Sequence, residues 1–136
     1  MSKLTHFDET GKSRMVDVSD KEITLREAVA GGEISMNPDT YRMIMNEEIV
    51  KGDVLGVAKV AGIMAAQKTS ELIPMCHPLN MTHIELQFHP REAESTIGME
   101  ASVKTWYRTG AEMEALVAVT TAALTIYDMC KAVDRG

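Results

Sequence analysis

Apolar and polar residues alternate in two stretches of the chain, which is the pattern of a strand with one buried face. The clearer stretch is Ile84 to Phe88, and residues 96–106 return as its partner after a hairpin connection at residues 90–95. A shorter alternation at residues 15–19 also predicts a strand. Residues 23–36 contain a short segment that could be helical, but a Gly-Gly pair inside them favours a strand with a bulge.

Three further stretches have helical character. A Pro at the first position and an acid in the first turn predict a helix from Asn37 to about Glu48. A second helix is expected from Val54 to about Leu72, with Asp53 as its N-cap. It is apolar around most of its circumference, which predicts burial by other elements or by another subunit. The longest helix is expected from Ala111 to about Val133, with Thr109 as a plausible N-cap.

The predicted order is two strands, two helices, a hairpin and a helix. Strands paired antiparallel and helices gathered on one face give an α+β fold. With 136 residues, the chain fits a single domain with one core, which we place at residues 14–136. Residues 1–13 are polar and aperiodic, so we expect a flexible N-terminal arm there.

Composition narrows the function classes. The formal net charge of −6 argues against general nucleic-acid binding, which needs a basic surface. The two cysteines are far apart and form no Cys-x-x-Cys pair, so a disulfide framework or zinc knuckle is not expected. The N-terminus has no signal-peptide pattern, and charged residues interrupt every long apolar stretch. We therefore expect a cytoplasmic protein that makes no membrane contact.

The longest helix has charged residues at its two ends. Glu112 and Glu114 lie near its start, where ordinary helix electrostatics explains them equally well. Asp128 fits that explanation less well because an acid near a helix C-terminus opposes the dipole, although Lys131 could offset it. At ~1.5 Å per residue, Glu114 and Asp128 are about 21 Å apart along the axis. If both serve one pocket, two subunits must assemble it, for example with antiparallel helices across a two-fold axis.

Other candidate residues are open to two interpretations. His77, His83 and His89 are spaced by six, but on a strand the last two are ~20 Å apart, so we expect no metal site. His77 lies between two prolines and is either a titrating or a structural loop histidine. Cys76 could be a nucleophile or a small buried residue. Lys51, in a turn between helices, is either functional or a solvated charge.

Three long motifs resemble one known family. They are Lys51-Gly-Asp-Val, the run Ala61-Gly-Ile-Met-Ala-Ala-Gln-Lys-Thr-Ser-Glu-Leu-Ile-Pro-Met-Cys-His-Pro-Leu79, and Thr109-Gly-Ala-Glu-Met-Glu-Ala-Leu with Leu124-Thr-Ile-Tyr-Asp-Met-Cys-Lys131. Together they resemble the molybdenum cofactor biosynthesis protein C (MoaC) family, whose members are cyclic pyranopterin monophosphate synthases. The match extends from the residue 15–19 stretch to Lys131.

The resemblance implies a lyase of molybdenum cofactor (molybdopterin) biosynthesis. Its substrate would be the 3′,8-cyclised dihydroguanosine triphosphate made from GTP, and its products cyclic pyranopterin monophosphate and diphosphate. It further implies a ferredoxin-like sheet covered by long helices, no cofactor, and a homohexamer built as a trimer of dimers with sites at dimer interfaces. The alternative is a non-catalytic oligomeric protein that binds a pterin or nucleotide.

Residue roles follow from the resemblance by motif. Asp128 and Lys131 would form the acid–base pair, and Lys51 would be a further essential lysine. The residues implied to contact the substrate come from two motifs: Met75, Cys76, His77, Glu112, Met113 and Glu114. Relatives usually continue past this point with a segment whose lysine belongs to the site, and we expect that segment to be absent from this sequence.

Overall fold

The centre of the fold is an antiparallel sheet of three strands, seen in a computed structural model that describes residues 15–136. Strand β1 (Thr24–Ser35) and strand β2 (Met81–Arg91) lie on either side of β3 (Thr96–Tyr107), in the order β1-β3-β2. A single turn of 3-10 helix, Glu92–Glu94, joins β2 to β3. The predicted hairpin is confirmed: β3 is one residue longer than expected, whereas β2 extends beyond the predicted alternation at both ends and includes Pro90 and Arg91, which were expected in the connection.

Within residues 15–136, four helices accompany the sheet. Their bounds are α1 (Pro38–Met45), α2 (Val54–Gln67), α3 (Thr69–Leu72) and α4 (Glu112–Cys130). Helices α2 and α4 pack side by side and together cover one face of the sheet. The arrangement is a single α+β domain consistent with a ferredoxin-like fold, as the sequence and the resemblance predicted.

Small residues allow α2 and α4 to approach each other closely. A Cβ atom built on Gly62 of α2 would lie 2.9 Å from the backbone oxygen of Ala118 in α4 and 2.8 Å from Leu86 Cδ2 in β2. Ala58, Ala115 and Ala118 are fully buried. The sequence contains few aromatic residues, and glycine and alanine occupy this contact instead. Because these residues are small, the helices pack closely and the core is mainly aliphatic.

Asp53 caps α2 as predicted: its side chain accepts a hydrogen bond from the Gly56 backbone N–H. The helix ends earlier than expected, at Gln67, where the Lys68 backbone N–H donates to the Ala65 carbonyl three residues earlier. Such i−3 bonds tighten the last turn of a helix, and the Thr69 hydroxyl donates to the carbonyls of Ala65 and Ala66 beside it. The chain turns at Lys68 before the short α3, so the predicted single helix to Leu72 is wrong at its end.

The strand predicted at residues 15–19 is wrong. The Asp17 carboxylate instead accepts a hydrogen bond from the Ser19 backbone N–H, and Lys21 N–H donates to the Val18 carbonyl. These local bonds form turns, and side chains such as Asp offer the backbone this alternative to a sheet. The expected flexible arm at residues 1–13 lies outside the described residues.

The predicted bulge in β1 is also wrong. Its register with β3 runs unbroken from Thr24↔Tyr107 to Ser35↔Thr96. A Cβ atom on Gly32 would lie 2.8 Å from Val119 Cγ1 of α4. The glycine therefore serves the close approach of helix to sheet rather than a bulge.

The long predicted helix is confirmed with trimmed ends. It begins at Glu112, with Ala111 rather than Thr109 at the N-cap position, and it ends at Cys130. The backbone N–H groups of Val133 and Asp134 both donate to the Cys130 carbonyl, at 3.0 Å. A turn therefore replaces the last residues of the helix predicted to reach Val133.

Candidate active site at the two ends of the longest helix

A cavity of about 280 Å³ opens at the N-terminal end of α4. The loop between α3 and β2 brings Met75, Cys76 and His77 against the first turn of α4, where Glu112, Met113 and Glu114 lie. All six residues that the resemblance assigned to substrate contact therefore line one cavity. The remaining lining residues are Val16, Val18, Lys21, Leu79, Thr109 and Gly110.

Glu114 is the buried acid of this cavity. Only 3% of it is exposed, and burial raises the pKa of its carboxyl group, with a smaller contribution from the neighbouring Glu112 charge and partial opposition from the Glu114 backbone N–H. A carboxyl with a raised pKa keeps its proton to a higher pH than an exposed glutamate does, which suits it to proton transfer. Glu112 is exposed at the cavity rim.

Cys76 is half-buried beside these acids. Burial raises the pKa of its thiol, and the charges of Glu114 and Glu112 raise it further. Reactive cysteines need the opposite environment, because the thiolate is the nucleophile and positive charge stabilises it. Of the two interpretations made from the sequence, the structure favours the packed residue over the nucleophile.

Residues 15–21 supply one wall of the cavity, which the sequence reasoning missed. Lys21 lines the cavity together with Val16 and Val18, and it adds a cationic side chain to a lining that includes His77 and the two acids. The only local signal was the alternation that we interpreted as a strand. Nothing in that pattern indicates that the segment folds against α4.

A second group of charged residues lies at the C-terminal end of α4. Lys131 Nζ is 3.0 Å from Asp128 Oδ1, and Lys51 Nζ is 3.5 Å from Asp128 Oδ2 and 3.2 Å from the Asp128 backbone oxygen. The hydrogen bond and the charge of Lys131, followed by the charge of Lys51, lower the pKa of Asp128. We call Lys51, Asp128 and Lys131 the charged cluster.

The two groups cannot meet within one chain. Helix α4 is continuous from Glu112 to Cys130, so Glu114 and Asp128 are separated by 14 residues and by about 21 Å along the axis. The structure thus brings six of the nine candidate residues together at one end of α4 and the other three together at the opposite end.

Two other features bear on the candidate chemistry. His83 Nε2 lies 3.2 Å from Glu85 Oε2 on the exposed side of β2, and residues 15–136 contain no group of three His, Cys, Asp or Glu side chains arranged to hold a metal ion.

Among the described helices, Glu112–Cys130 alone is long and apolar enough to span a membrane, and half of that apolar segment is buried inside the chain. Core helices of folded domains share this property.

Comparison with known proteins identifies relatives over nearly the whole chain. The model of the MoaC family matches residues 15–136. A protein from Pelotomaculum thermopropionicum is 62% identical over 135 residues, which are 99% of this chain and 79% of the relative. One from Heliobacterium modesticaldum is 59% identical over 136 residues, or 100% of this chain and 86% of the relative.

A third relative, from Chloroflexus aurantiacus, is 58% identical over 134 residues, which cover 98% of this chain and 82% of the relative. All three relatives carry the name cyclic pyranopterin monophosphate synthase. Identity at this level over almost the full chain fixes both the family and the fold that the sequence motifs indicated.

Proposed function

Because the chain belongs to the MoaC family, we infer that it is a lyase forming cyclic pyranopterin monophosphate and that two copies of it build each active site. The substrate is the cyclised GTP derivative, and diphosphate is released. The observation that carries the composite site is the division of the candidate residues between the two ends of α4.

The size of the cavity supports a composite site. Pockets that enclose small molecules measure about 300–1,000 Å³, whereas the cavity beside Glu114 measures about 280 Å³. A nucleoside triphosphate is among the larger small-molecule ligands. We propose that one copy encloses only part of this substrate and that a second copy supplies the remaining wall.

The surface of the helix pair supports a second copy as that wall. Val57, Val60 and Met64 lie exposed on α2, and Leu116 and Leu124 lie exposed on α4, with exposed fractions from 45% to 64%. Where exposed apolar residues form one contiguous patch, they mark an interaction site, and we propose that these five do so. In a two-fold pair with antiparallel α4 helices, the charged cluster of one copy approaches the cavity of the other. We propose three such pairs in a hexamer, located in the cytoplasm.

The chemistry of the two ends is complementary. Converting the purine-derived ring to a pterin requires repeated proton transfers, and Glu114 with a raised pKa and the ionised Asp128 beside two lysines can hold protons of different affinity. The ammonium groups of Lys51 and Lys131 outnumber the single carboxylate between them. They are suited to stabilise the triphosphate and the departing diphosphate, and Lys21 adds a cation at the other end.

A direct assay tests this function. The purified full chain is supplied with the cyclised nucleotide, and diphosphate release and formation of an oxidisable pterin are measured together. Equal amounts of both products are expected. Tight binding of the nucleotide without either product contradicts the enzyme and supports the non-catalytic binding protein instead.

A further inference from the structure

Asp134 joins the turn after α4 to the start of α1. It lies in the turn that follows α4, and its Oδ2 accepts hydrogen bonds from the Asn37 backbone N–H and from the Thr40 hydroxyl, both at 3.0 Å. Its Oδ1 accepts from the Gly136 N–H at 3.1 Å. Asp134 is thereby held to Asn37 and Thr40, which precede it by 97 and 94 positions in the sequence.

This carboxylate acts as the N-terminal cap of α1. The first N–H groups of a helix lack partners within the helix and need an acceptor. Among the described residues, the Asn37 side chain at the cap position accepts no such bond. Asp134 accepts from the Asn37 N–H and from Thr40 in the first turn instead, and its negative charge also suits the positive end of the helix dipole.

The position of Asp134 ties this cap to the charged cluster. Lys131 is the first residue beyond α4, where helix ends commonly fray, and its Nζ lies 3.0 Å from Asp128 Oδ1. The turn from Cys130 to Asp134 is anchored at one end by its bonds to the Cys130 carbonyl and at the other by Asp134. On the α1 side, the chain continues from Met45 to the loop that carries Lys51.

We propose that Asp134 is a positioning residue that keeps Lys131 and Lys51 aligned on Asp128 by clamping α1 to the turn after α4. Thr40 is only 3% exposed, so packing fixes the position of the hydroxyl that donates to Asp134. The hydrogen bond from the Asn37 N–H, followed by those from Gly136 and Thr40, lowers the pKa of Asp134. The clamp is therefore ionised at neutral pH. This proposal rests on the proposed function of the charged cluster.

Steady-state kinetics of matched variants test the proposal. Asp134→Ala is expected to lower kcat about tenfold while KM changes less than twofold, because displaced lysines impair the chemical step and misplacement of about 1 Å can cost up to ~100-fold. Asp134→Asn keeps one acceptor oxygen and is expected to retain most of kcat. Asp39→Ala is the control, since Asp39 lies in the same first turn of α1 but pairs with Arg42.

A double-mutant cycle with Thr40→Val isolates the clamp. Thr40→Val alone is expected to lower kcat about threefold and to add nothing further in the Asp134→Ala background, because both changes break the same bond. Additive effects of the two substitutions on kcat contradict the clamp.

Amide hydrogen exchange supplies a measurement that does not depend on turnover. The amides of Val133 and Asp134 are expected to exchange at least tenfold faster in Asp134→Ala and at an unchanged rate in Asp39→Ala. Unchanged exchange in Asp134→Ala overturns the clamp. Faster exchange with unchanged kcat shows a purely structural contact and overturns the positioning role. A wild-type chain without turnover removes the proposed function, while exchange still tests the clamp.

Discussion

The two ends of α4 provide opposite environments for an acid. At the N-terminal end, Glu114 is buried, and desolvation raises its pKa. At the C-terminal end, Asp128 is exposed between two lysines, which lower its pKa. One helix therefore carries one carboxyl that tends to keep its proton and one that tends to lose it.

The difference shows how one rigid element can serve two roles. Burial and the neighbouring Glu112 charge create the first environment, and the lysines at the end of α4 and in the loop before α2 create the second. Because about 21 Å of helix separate the two, neither perturbs the other within a chain. Pairs of titratable groups whose pKa values are driven apart are typical of acid–base enzymes.

The largest expected effect comes from the charged cluster. Lys131→Ala is expected to lower kcat at least ~100-fold, the usual range for loss of a proton-transfer or charge-stabilising group, with little change in thermal stability because the side chain is exposed. Lys104→Ala is the matched control, an exposed lysine whose partner is Glu27. If Lys131→Ala turns over as fast as the control, Lys131 takes no part in the reaction.

The packing between the two ends gives the next largest effect. Gly62→Ala places a methyl group 2.9 Å from the backbone oxygen of Ala118 and 2.8 Å from Leu86 Cδ2, so α2 and α4 must separate. Overpacking of this kind costs about 1–3 kcal/mol, and thermal unfolding should show a midpoint several degrees lower. In Gly31→Ala the new methyl meets only the Met99 backbone oxygen, at 3.7 Å, and an unchanged or higher midpoint is expected.

A smaller effect concerns the buried acid. The folded state raises the pKa of Glu114, so it binds this proton more tightly than the unfolded chain, and stability falls as pH rises through the folded-state pKa. Glu114→Gln removes that fall. Its unfolding midpoint should exceed that of the wild type by a few degrees at pH 8, the size that ~1 kcal/mol produces, and by less at pH 5.

Glu112→Gln serves as the control for this measurement, because the Glu112 side chain is exposed one half-turn earlier. Removing the Glu112 charge takes away only the smaller cause of the raised Glu114 pKa, so the midpoint of Glu112→Gln should stay closer to the wild type than that of Glu114→Gln at both pH values. A Glu114→Gln midpoint that is lower than the wild type by the same amount at pH 5 and pH 8 contradicts the assignment of a desolvated carboxyl.

Local signals were enough to predict most of the fold. The Asp53 cap, the alternation around Leu86 and the uninterrupted apolar run of α4 each act over a few residues, and the three elements that these signals predicted are present. The strand at residues 15–19 failed because alternation does not reveal whether a partner strand exists. Gly32 was misinterpreted because the close contact that leaves no room for a side chain there is made with Val119, 87 positions away in sequence.

The site was less accessible to sequence reasoning. Nothing in the spacing of Lys51 and Asp128, 77 residues apart, indicates that they touch, and the grouping of His77 with Glu114 came only from the resemblance to a family. Helix geometry did predict that Glu114 and Asp128 cannot meet within one chain. Lys21 and Asp134 were missed because their roles depend on contacts made only after folding.

Complementation between inactive chains tests the composite site most directly. His77→Ala disables the cavity and Lys131→Ala disables the charged cluster, so a mixed pair retains one site built from two intact ends. Co-expression with random pairing makes about half of the pairs mixed, each with one working site of two, which predicts about a quarter of the wild-type activity. A mixture of His77→Ala and Glu114→Gln, both altered at the same end, should recover none. If the mixture of His77→Ala and Lys131→Ala is no more active than the separate variants, the active site is not shared between two chains.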